Sequence, residues 1–208
     1  MKKVLVTAFD PFGGEKLNPA LEALMILPDE LEGIKIIKRE IPTVFGKSFD
    51  VLYAALVEEL PDVVISVGQA GGRSAISLER IAINIDDARI NDNEGVQRID
   101  SPIVEEGPAA YFTSLPIKDI VQALHQAGIP ASVSNSAGTF VCNHLMYATL
   151  HYAATKQPQL KAGFVHIPYL PKQVLDKPAK PSMSTENVVE ALALIIKTAC
   201  KCQGNSRN

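Results

Sequence analysis

Short apolar or β-branched segments alternate with longer stretches of helical periodicity, and no other feature of the sequence constrains the fold as strongly. The apolar segments lie at residues 4–9, 34–41, 63–67, 131–134 and 163–167, and each predicts a buried strand. Parallel strands need long crossovers, which helices usually supply. The sequence therefore predicts an α/β fold, a single-domain open twisted mainly parallel sheet with helices on both faces.

Five helices are predicted between and after these strands, one of which begins near Cys142 and runs through Leu145, Thr149 and Tyr152. Apolar residues repeat at helical spacing over 49–56 and 117–124, which indicates one buried face on each helix. Asn18 followed by Pro19 is typical of a helix start, and this helix should end before Pro28. The last helix is predicted over 185–200.

Length and composition restrict the class of protein. The 208 residues suit one catalytic domain with a frayed polar tail at 203–208. The net charge of −3 lacks the basic character of nucleic-acid-binding proteins, so nucleic acid is not an expected partner. The region 86–113 is rich in Asp, Asn, Gly and Pro and predicts a long loop with room for a hairpin.

The lack of a recognisable targeting signal and the spacing of the cysteines predict a cytoplasmic protein. The first apolar run ends at Asp10, too early for a signal peptide, and Glu190 interrupts the longest later run. We therefore expect no membrane segment. Cys142, Cys200 and Cys202 lack the spacing of a disulfide scaffold, which fits a reducing compartment.

Cys142 is the candidate nucleophile. A strand ending near Ser134 is followed by a turn at Gly138, which brings Cys142 to the start of a helix. We expect the positive end of the helix dipole to lower the pKa of the thiol, and the backbone N–H groups there to suit an oxyanion. The alternative is that Cys142 is a small buried apolar residue, as free cysteines often are.

Four histidines are candidates for the base. His166 ends a predicted strand at the same edge of the sheet as the turn before Cys142, so it could meet the thiol as nucleophilic catalysis requires. His144 and His151 share the helix of Cys142 at spacings that do not bring side chains together. His125 is expected in solvent near a helix C-terminus. A histidine at a strand end could also be only hydrogen-bonded in the rim.

Seven short motifs, taken together, resemble one known family. They are FDPFGG at 9–14, GQAGGR at 68–73, ERIAIN at 79–84, ARI at 88–90, DNEG at 92–95, SAGTFVCN at 136–143 and HIPY at 166–169. Their combination resembles pyroglutamyl peptidase type I, also called pyrrolidone-carboxylate peptidase. The resemblance implies a cysteine exopeptidase that removes N-terminal pyroglutamate from peptides through a thioester acyl-enzyme. It also implies a homotetramer that uses no metal and no other cofactor.

The resemblance implies roles for two further polar positions, Glu79 and Arg89. Cys142, His166 and Glu79 match the family's triad, with Glu79 accepting from the imidazole N–H. Taken alone, Glu79 is more typical of a surface or helix N-terminal acid paired with Arg80. Arg89 matches the arginine that helps the Cys142 backbone N–H to hold the oxyanion. The alternative for Arg89 is a loop salt bridge.

A binding site for the lactam ring is also implied by the resemblance. Its apolar walls would be Phe9, Phe12, Phe140 and Val141. The backbone of Gln69 would hydrogen-bond the lactam, with Asn18 in support. On the residues alone, phenylalanines at such positions are more often core, and Asn18 can equally be only the helix cap.

Two residues depart from the family pattern. Ala8 replaces a glycine and is expected to add a methyl group near the pocket wall, and Asn91 replaces a proline and is expected to loosen a covering loop. We expect activity to survive both changes. Gly71 and Gly72 lack the spacing and the lysine of phosphate-binding loops, so we expect them to form a turn.

Two other functions stay open on the residues. A nucleoside-phosphorylase-like transferase could use a related open α/β sheet, and it would depend on phosphate and be indifferent to thiol alkylation. A non-catalytic small-molecule binding module would bind pyroglutamate without hydrolysis.

Overall fold

The fold is built on a seven-stranded sheet. The computed structural model describes residues 1–201, and within them there are nine strands and five α-helices. The strands are β1 (Lys2–Phe9), β2 (Glu30–Leu31), β3 (Ile34–Ile41), β4 (Val63–Gln69), β5 (Ile76–Glu79), β6 (Ile81–Ile83), β7 (Ala110–Phe112), β8 (Ala131–Ser134) and β9 (Lys161–Ile167). The helices are α1 (Pro19–Ile26), α2 (Lys47–Glu59), α3 (Ile117–Gln126), α4 (Val141–Lys156) and α5 (Thr185–Lys201).

The sheet is open and mainly parallel, as predicted. Its strand order is β2-β3-β1-β4-β9-β5-β8, and β6 and β7 form a separate two-stranded ribbon. Parallel pairs join β1 to β3 and β4, β4 to β9, and β5 to β8. The antiparallel pairs are β2 on β3 and β5 on β9. Strand β9, which carries the candidate base His166, is therefore in the interior of the sheet, whereas β8, which leads to the helix of the candidate nucleophile, is at its edge.

Helices cover both faces of the sheet, which confirms the predicted layering. Successive residues of a strand point to opposite faces, so Val4 and Val6 pack with α1, α3 and α5 while Leu5 and Phe9 pack with α2 and α4. The two buried clusters are the two halves of the core. No helix in residues 1–201 is long and apolar enough to cross a membrane.

The five predicted strands and five predicted helices are present. The stripe expected on α2 is only partly buried, because Leu52 and Leu56 are buried but Tyr53 is 46% exposed. Strand β5 was not predicted, since only Ile76 and Leu78 of its four residues are apolar. The region 86–113 is largely loop and contributes β7 to the small ribbon. Cys202 and the predicted tail at 203–208 lie outside the described residues.

Candidate active site

Cys142 lies in the first turn of α4, as predicted. Gly138, with φ of +80°, makes the turn between β8 and this helix, a conformation that glycine adopts at little cost. The helix begins after Phe140, which gives no side-chain cap. The first N–H groups of a helix have no acceptor within it, so the amides around Cys142 are available to an oxyanion.

Polar contacts hold the start of α4 against the segment that follows β5. The Asp87 N–H donates to the Thr139 carbonyl over 2.9 Å, and the Thr139 hydroxyl donates to the Asp87 carbonyl over 2.7 Å. The buried Asn143 side chain accepts from the Ile83 N–H and donates to the carbonyls of Ile83 and Ile85. These contacts fix the position of the thiol relative to β5.

The thiol and the candidate base lie on the same face of the sheet, at neighbouring strands. Gly68 of β4 is paired with His166 of β9. A Cβ added at Gly68 would lie 3.2 Å from the Cys142 Sγ and 2.9 Å from the Phe164 ring. The sulfur therefore lies above Gly68, on the strand next to the one that carries His166. A glycine is required at position 68 because a side chain there would displace the thiol.

Glu79 binds the imidazole of His166. Its Oε1 atom accepts from His166 Nδ1 and from Arg73 Nη1, each over 2.7 Å, and Glu79 is fully buried. The pairing of Ser77 with His166 places both strands in register for this contact. The alternative of a surface acid paired with Arg80 is therefore wrong. Arg73, for which no role was predicted, is part of this site, and only its position in the GQAGGR motif indicated it.

Burial raises the pKa of Glu79, but the hydrogen bond and charge of His166, together with Ser134 and Arg73 nearby, lower it more. The net effect is a pKa below the ordinary value of 4.5. Glu79 is thus held as a carboxylate, the form that fixes the imidazole tautomer and stabilises an imidazolium.

Glu79→Gln is expected to remove a pH-dependent part of the stability. Because the folded-state pKa is lowered, the charged form stabilises the protein above about pH 4.5, and this contribution is lost as the pH falls through the folded-state pKa. We expect the free energy of unfolding of the variant to be about 1–3 kcal/mol lower than that of the wild type near neutral pH. This gap between the two proteins should close in acid. Urea unfolding in neutral and acidic buffer measures the gap, and a gap independent of pH would contradict an ionised Glu79.

The expectation that the helix terminus lowers the pKa of Cys142 is wrong for this site. Burial raises the pKa of the half-buried thiol from 9.0 to about 12, and the Glu79 charge adds to the rise while Arg73 opposes it. Such a rise corresponds to roughly 4 kcal/mol, whereas a helix N-terminus stabilises an anion by about 0.3–1 kcal/mol. Desolvation therefore prevails, and the thiol needs a base to give up its proton.

A second carboxylate–histidine pair lies close by but is fully committed to the fold. Asp86 Oδ2 accepts from His144 Nδ1 over 2.9 Å and from Arg98 Nη1 over 3.0 Å. His144 Nε2 in turn accepts from the Gly46 N–H over 3.1 Å, so both of its ring nitrogens are used. By contrast, Nε2 of His166 has no hydrogen-bond partner in the part of the chain that the structure describes.

The two remaining histidines lie where the sequence indicated. His125 is exposed in the last turn of α3, and His151 shares a hydrogen bond with the Tyr111 hydroxyl. Both lie on helices, and neither is on the strands next to the thiol.

Arg89 is exposed, and it lies on the loop that is hydrogen-bonded to Thr139, just before α4. The loop is fixed on both sides of it, by the Asp87–Thr139 contacts and by the Ala88 N–H donating to the Arg98 carbonyl over 2.8 Å. Among residues 1–201 Arg89 makes no ion pair and no hydrogen bond, so the alternative of a loop salt bridge is not supported. Its guanidinium is free to approach a ligand.

Two of the four predicted apolar walls are accessible. The half-buried rings of Phe12 and Phe140 lie 6.2 Å apart, and Phe45 meets Phe140 edge-on at 5.5 Å. Phe9 and Val141, however, are fully buried in the core on the α2 and α4 side. Their place in the walls of the lactam site stays a prediction.

Asn18 and Gln69 are engaged within the protein. Asn18 Oδ1 accepts from the Ala20 N–H, and its Nδ2 donates to the Asp10 carbonyl, so the side chain caps α1 and orders the first loop. Gln69 ends β4, and its side-chain oxygen accepts from Gln173 over 2.8 Å. The resemblance assigns the backbone of Gln69 to the ligand, and this contact does not involve that backbone.

The two departures from the family pattern lie away from a ligand. Ala8 is buried among the residues that face α1, α3 and α5, on the opposite side of the sheet from the thiol, so it does not line the pocket wall. Asn91 is exposed, and its loop is not loose, because Asp92 accepts from the Phe45 N–H and Asn93 donates to the Pro11 carbonyl.

Two further expectations concern the glycines after β4 and the absence of a metal. Gly71 and Gly72 form the predicted turn, with φ of +94° at Gly72, and a side chain at Gly71 would collide with Tyr169. No group of three or more His, Cys, Asp or Glu side chains within residues 1–201 is placed to hold a metal ion.

Comparison with known proteins agrees with this geometry. The family model of pyroglutamyl peptidase matches residues 2–202. The pyrrolidone-carboxylate peptidase of Alkaliphilus oremlandii is 59% identical over 197 residues, which are 95% of this chain and 92% of that protein. The crystal structure of Bacillus amyloliquefaciens pyroglutamyl peptidase I matches with a TM-score of 0.94 and 49% identity, over 97% of this chain and 98% of that one. A mutant pyrrolidone carboxyl peptidase from Pyrococcus furiosus matches with a TM-score of 0.93 and 49% identity, over 96% and 98%. The chain therefore belongs to the pyroglutamyl peptidase family.

Proposed function

We propose that this chain is a cysteine exopeptidase that removes N-terminal pyroglutamate from peptides, with Cys142 as nucleophile and His166 as base. The observation that carries the proposal is the position of the Cys142 sulfur above Gly68, next to an imidazole whose Nδ1 is bound by Glu79 and whose Nε2 is unpartnered in the described residues. Nucleophilic catalysis needs this order of nucleophile, base and orienting acid.

The reaction begins with proton transfer from the Cys142 thiol to His166 Nε2. The sulfur attacks the pyroglutamyl carbonyl carbon, and the imidazolium then gives the proton to the leaving amine as the carbon–nitrogen bond breaks. The product is a thioester on Cys142. His166 next takes a proton from water, and the hydroxide attacks the thioester carbon. The carbon–sulfur bond then breaks, 5-oxoproline leaves, and the imidazolium returns its proton to the sulfur. Glu79 stabilises the imidazolium in both halves of the reaction.

Arg89 and the backbone N–H of Cys142 are proposed to hold the oxyanion. The N–H is in the first turn of α4, where it lacks an intrahelical acceptor. Arg89 is free of internal partners and lies on a loop bonded to Thr139, three residues before the nucleophile. A guanidinium and an amide aimed at developing negative charge lower the barrier to acyl transfer.

The lactam ring is proposed to lie against Phe12 and Phe140. Pyroglutamate has an apolar ring, one N–H and one ring carbonyl, and no free α-amine. Half-buried aromatic rings beside the start of α4 suit the ring. The backbone of Gln69, next to Gly68 on β4, suits the amide pair.

The organisation of the chain is also a proposal. The free thiols of Cys142 and Cys200 support a reducing, cytoplasmic environment, and we take residues 1–208 as one catalytic domain. A homotetramer is proposed from the family resemblance. The exposed apolar side chains of Val57 and Leu60 at the end of α2 offer a surface for such contacts.

Release of p-nitroaniline from pyroglutamyl p-nitroanilide tests the proposal. We expect turnover without added phosphate and its loss after treatment with a thiol alkylator. Turnover that requires phosphate and survives alkylation would favour a phosphorylase-like transferase. Saturable binding of pyroglutamate without any release would favour a binding module.

A further inference from the structure

A polar pocket lies beside the proposed active site, at the β5 and β8 end of the sheet. It has a volume of about 450 Å³, and its polar lining comes from Arg73, Ser74, Ser77, Ser132 and Ser134. None of the proposed catalytic steps uses these serines. Arg73 and Ser134 support Glu79, but the acyl-transfer chemistry does not explain Ser74, Ser77 and Ser132.

The pocket is in line with the nucleophile along a single row of strand pairs. Gly68 pairs with His166, His166 pairs with Ser77, and Ser77 pairs with Ser132. Because paired residues point to the same face, these four positions cross β4, β9, β5 and β8 on the face that carries the Cys142 sulfur. The row leads from the thiol, past the base, into the pocket.

The lining offers hydrogen-bonding groups without partners. Ser77 is only 4% exposed, and its hydroxyl has no hydrogen-bond partner among residues 1–201, so a polar group is in effect aimed into the pocket. This oxygen is not one of the fully buried atoms, so water or a ligand in the pocket can reach it. Arg73 uses two of its nitrogens, on Glu79 over 2.7 Å and on the Ser136 carbonyl over 3.4 Å. A guanidinium has five N–H donors, so others remain for a ligand.

The two sides of the thiol differ in chemistry. On the β1 and β3 side are the aromatic rings of Phe12, Phe45 and Phe140, and on the β5 and β8 side are the serines and Arg73. The apolar ring and the polar peptide chain of a substrate would therefore bind on opposite sides of the sulfur. This asymmetry fixes the direction in which a substrate lies across the sheet.

We propose that the serine-lined pocket binds the part of the peptide that follows pyroglutamate, with the free C-terminal carboxylate of a short peptide on Arg73. This proposal rests on the peptidase function proposed above. Serine hydroxyls both donate and accept, which suits the N–H and carbonyl groups of a peptide backbone. Arginine is suited to a carboxylate because its planar fork matches the two oxygens.

The row also sets the length of peptide that fills the pocket. Three strand spacings of about 4.8 Å separate Gly68 from Ser132, roughly 14 Å, and an extended peptide covers about 3.4 Å per residue. About four residues after pyroglutamate would therefore reach from the sulfur to Ser132, and about three would reach β5, where Glu79 holds Arg73. Peptides with one residue after pyroglutamate would not.

The test compares pyroglutamyl peptides with one to four alanines, each as free acid and as C-terminal amide. For the wild type we expect no acid preference at one alanine and a kcat/KM about 5–10-fold higher for the acid than for the amide at three or four. Ser132→Glu places a negative charge in the pocket, and Ser132 is exposed on the edge strand, so the change is compatible with folding. We expect it to abolish or reverse the acid preference.

Gln122→Glu is the matched control, because it adds the same charge on the exposed side of α3, which packs on the opposite face of the sheet. It should keep the acid preference of the wild type. Pyroglutamyl p-nitroanilide, which is too short to reach Ser132, reports whether each variant is folded and active.

Three results would overturn the inference. A wild type without acid preference at any length removes the carboxylate site, whatever the variants do. Ser132→Glu that keeps the wild-type preference, while it cleaves the p-nitroanilide, removes the pocket and leaves the peptidase function intact. A wild type that cleaves neither p-nitroanilide nor peptides overturns the proposed function and this inference together.

Discussion

Cys142→Ser is expected to lower kcat/KM for pyroglutamyl p-nitroanilide by at least about 10⁴-fold, the scale on which loss of a catalytic nucleophile acts. The serine hydroxyl has nearly the same shape but holds its proton far more strongly than a thiol does. The sulfur lies 3.2 Å from the Cβ position of Gly68, so the smaller oxygen would fit without displacing the backbone. The loss should therefore be one of chemistry and not of folding.

Cys200→Ala is the control for this variant. Cys200 is buried in the α1, α3 and α5 core, so its removal takes away a second thiol without adding a buried hydroxyl. We expect near wild-type kcat/KM and a modest loss of stability, measured by p-nitroaniline release and by urea unfolding. Undiminished turnover in Cys142→Ser would remove the thiol mechanism.

His166→Gln is expected to lower kcat at neutral pH by about 10³–10⁵-fold. Because burial raises the pKa of the thiol to about 12, very little of it is ionised at pH 7, so without a base very little nucleophile is present. Activity of the variant should rise steeply with pH, because hydroxide supplies the thiolate that the imidazole no longer generates. The pH profile of kcat from neutral to alkaline buffer measures this.

His144→Gln is the matched control. His144 is also bound by a carboxylate, that of Asp86, which an arginine in turn binds, but both ring nitrogens of His144 are occupied. It should lose stability and keep the shape of the wild-type pH profile. A His166→Gln variant with a wild-type profile would show that another group deprotonates the thiol.

The sheet and the nucleophile were predictable because their signals are local. Apolar runs mark the strands, and a glycine turn before an apolar helix places Cys142 at a helix start. Strand β5 was not predicted, because two of its four residues, Ser77 and Glu79, are polar. They are buried but face the polar site, so the segment lacks the apolar run that marks a buried strand. Residues that serve a site are those that break the local pattern.

The partners of the catalytic pair depend on long-range geometry. Arg73 and Glu79 are 87 to 93 residues from His166 in the chain, and only the antiparallel pairing of β5 with β9 brings them together. The protonation state of Cys142 was predicted wrongly for a related reason. The helix start is visible in the sequence, but the burial that outweighs it comes from elements distant in the chain.

Core and pocket are also hard to separate from sequence. Phe9 and Val141 lie one position from polar or catalytic residues, and the strand or helix turns their side chains into the core. Phe12 and Phe140 belong to the same motifs but lie on loops beside the thiol. Residue type is the same in both cases, and only the direction of the side chain differs.

The central claim is that the Cys142 sulfur becomes acylated by the pyroglutamyl group. Pyroglutamyl p-nitrophenyl ester, with its good leaving group, makes deacylation the slow step, so the acyl-enzyme should accumulate. Acid quench, proteolysis and mass spectrometry then locate the adduct, and we predict a nitrophenolate burst equal to the enzyme concentration with one pyroglutamyl group on Cys142. An adduct on any other residue, or an undiminished burst in Cys142→Ala, would contradict the account.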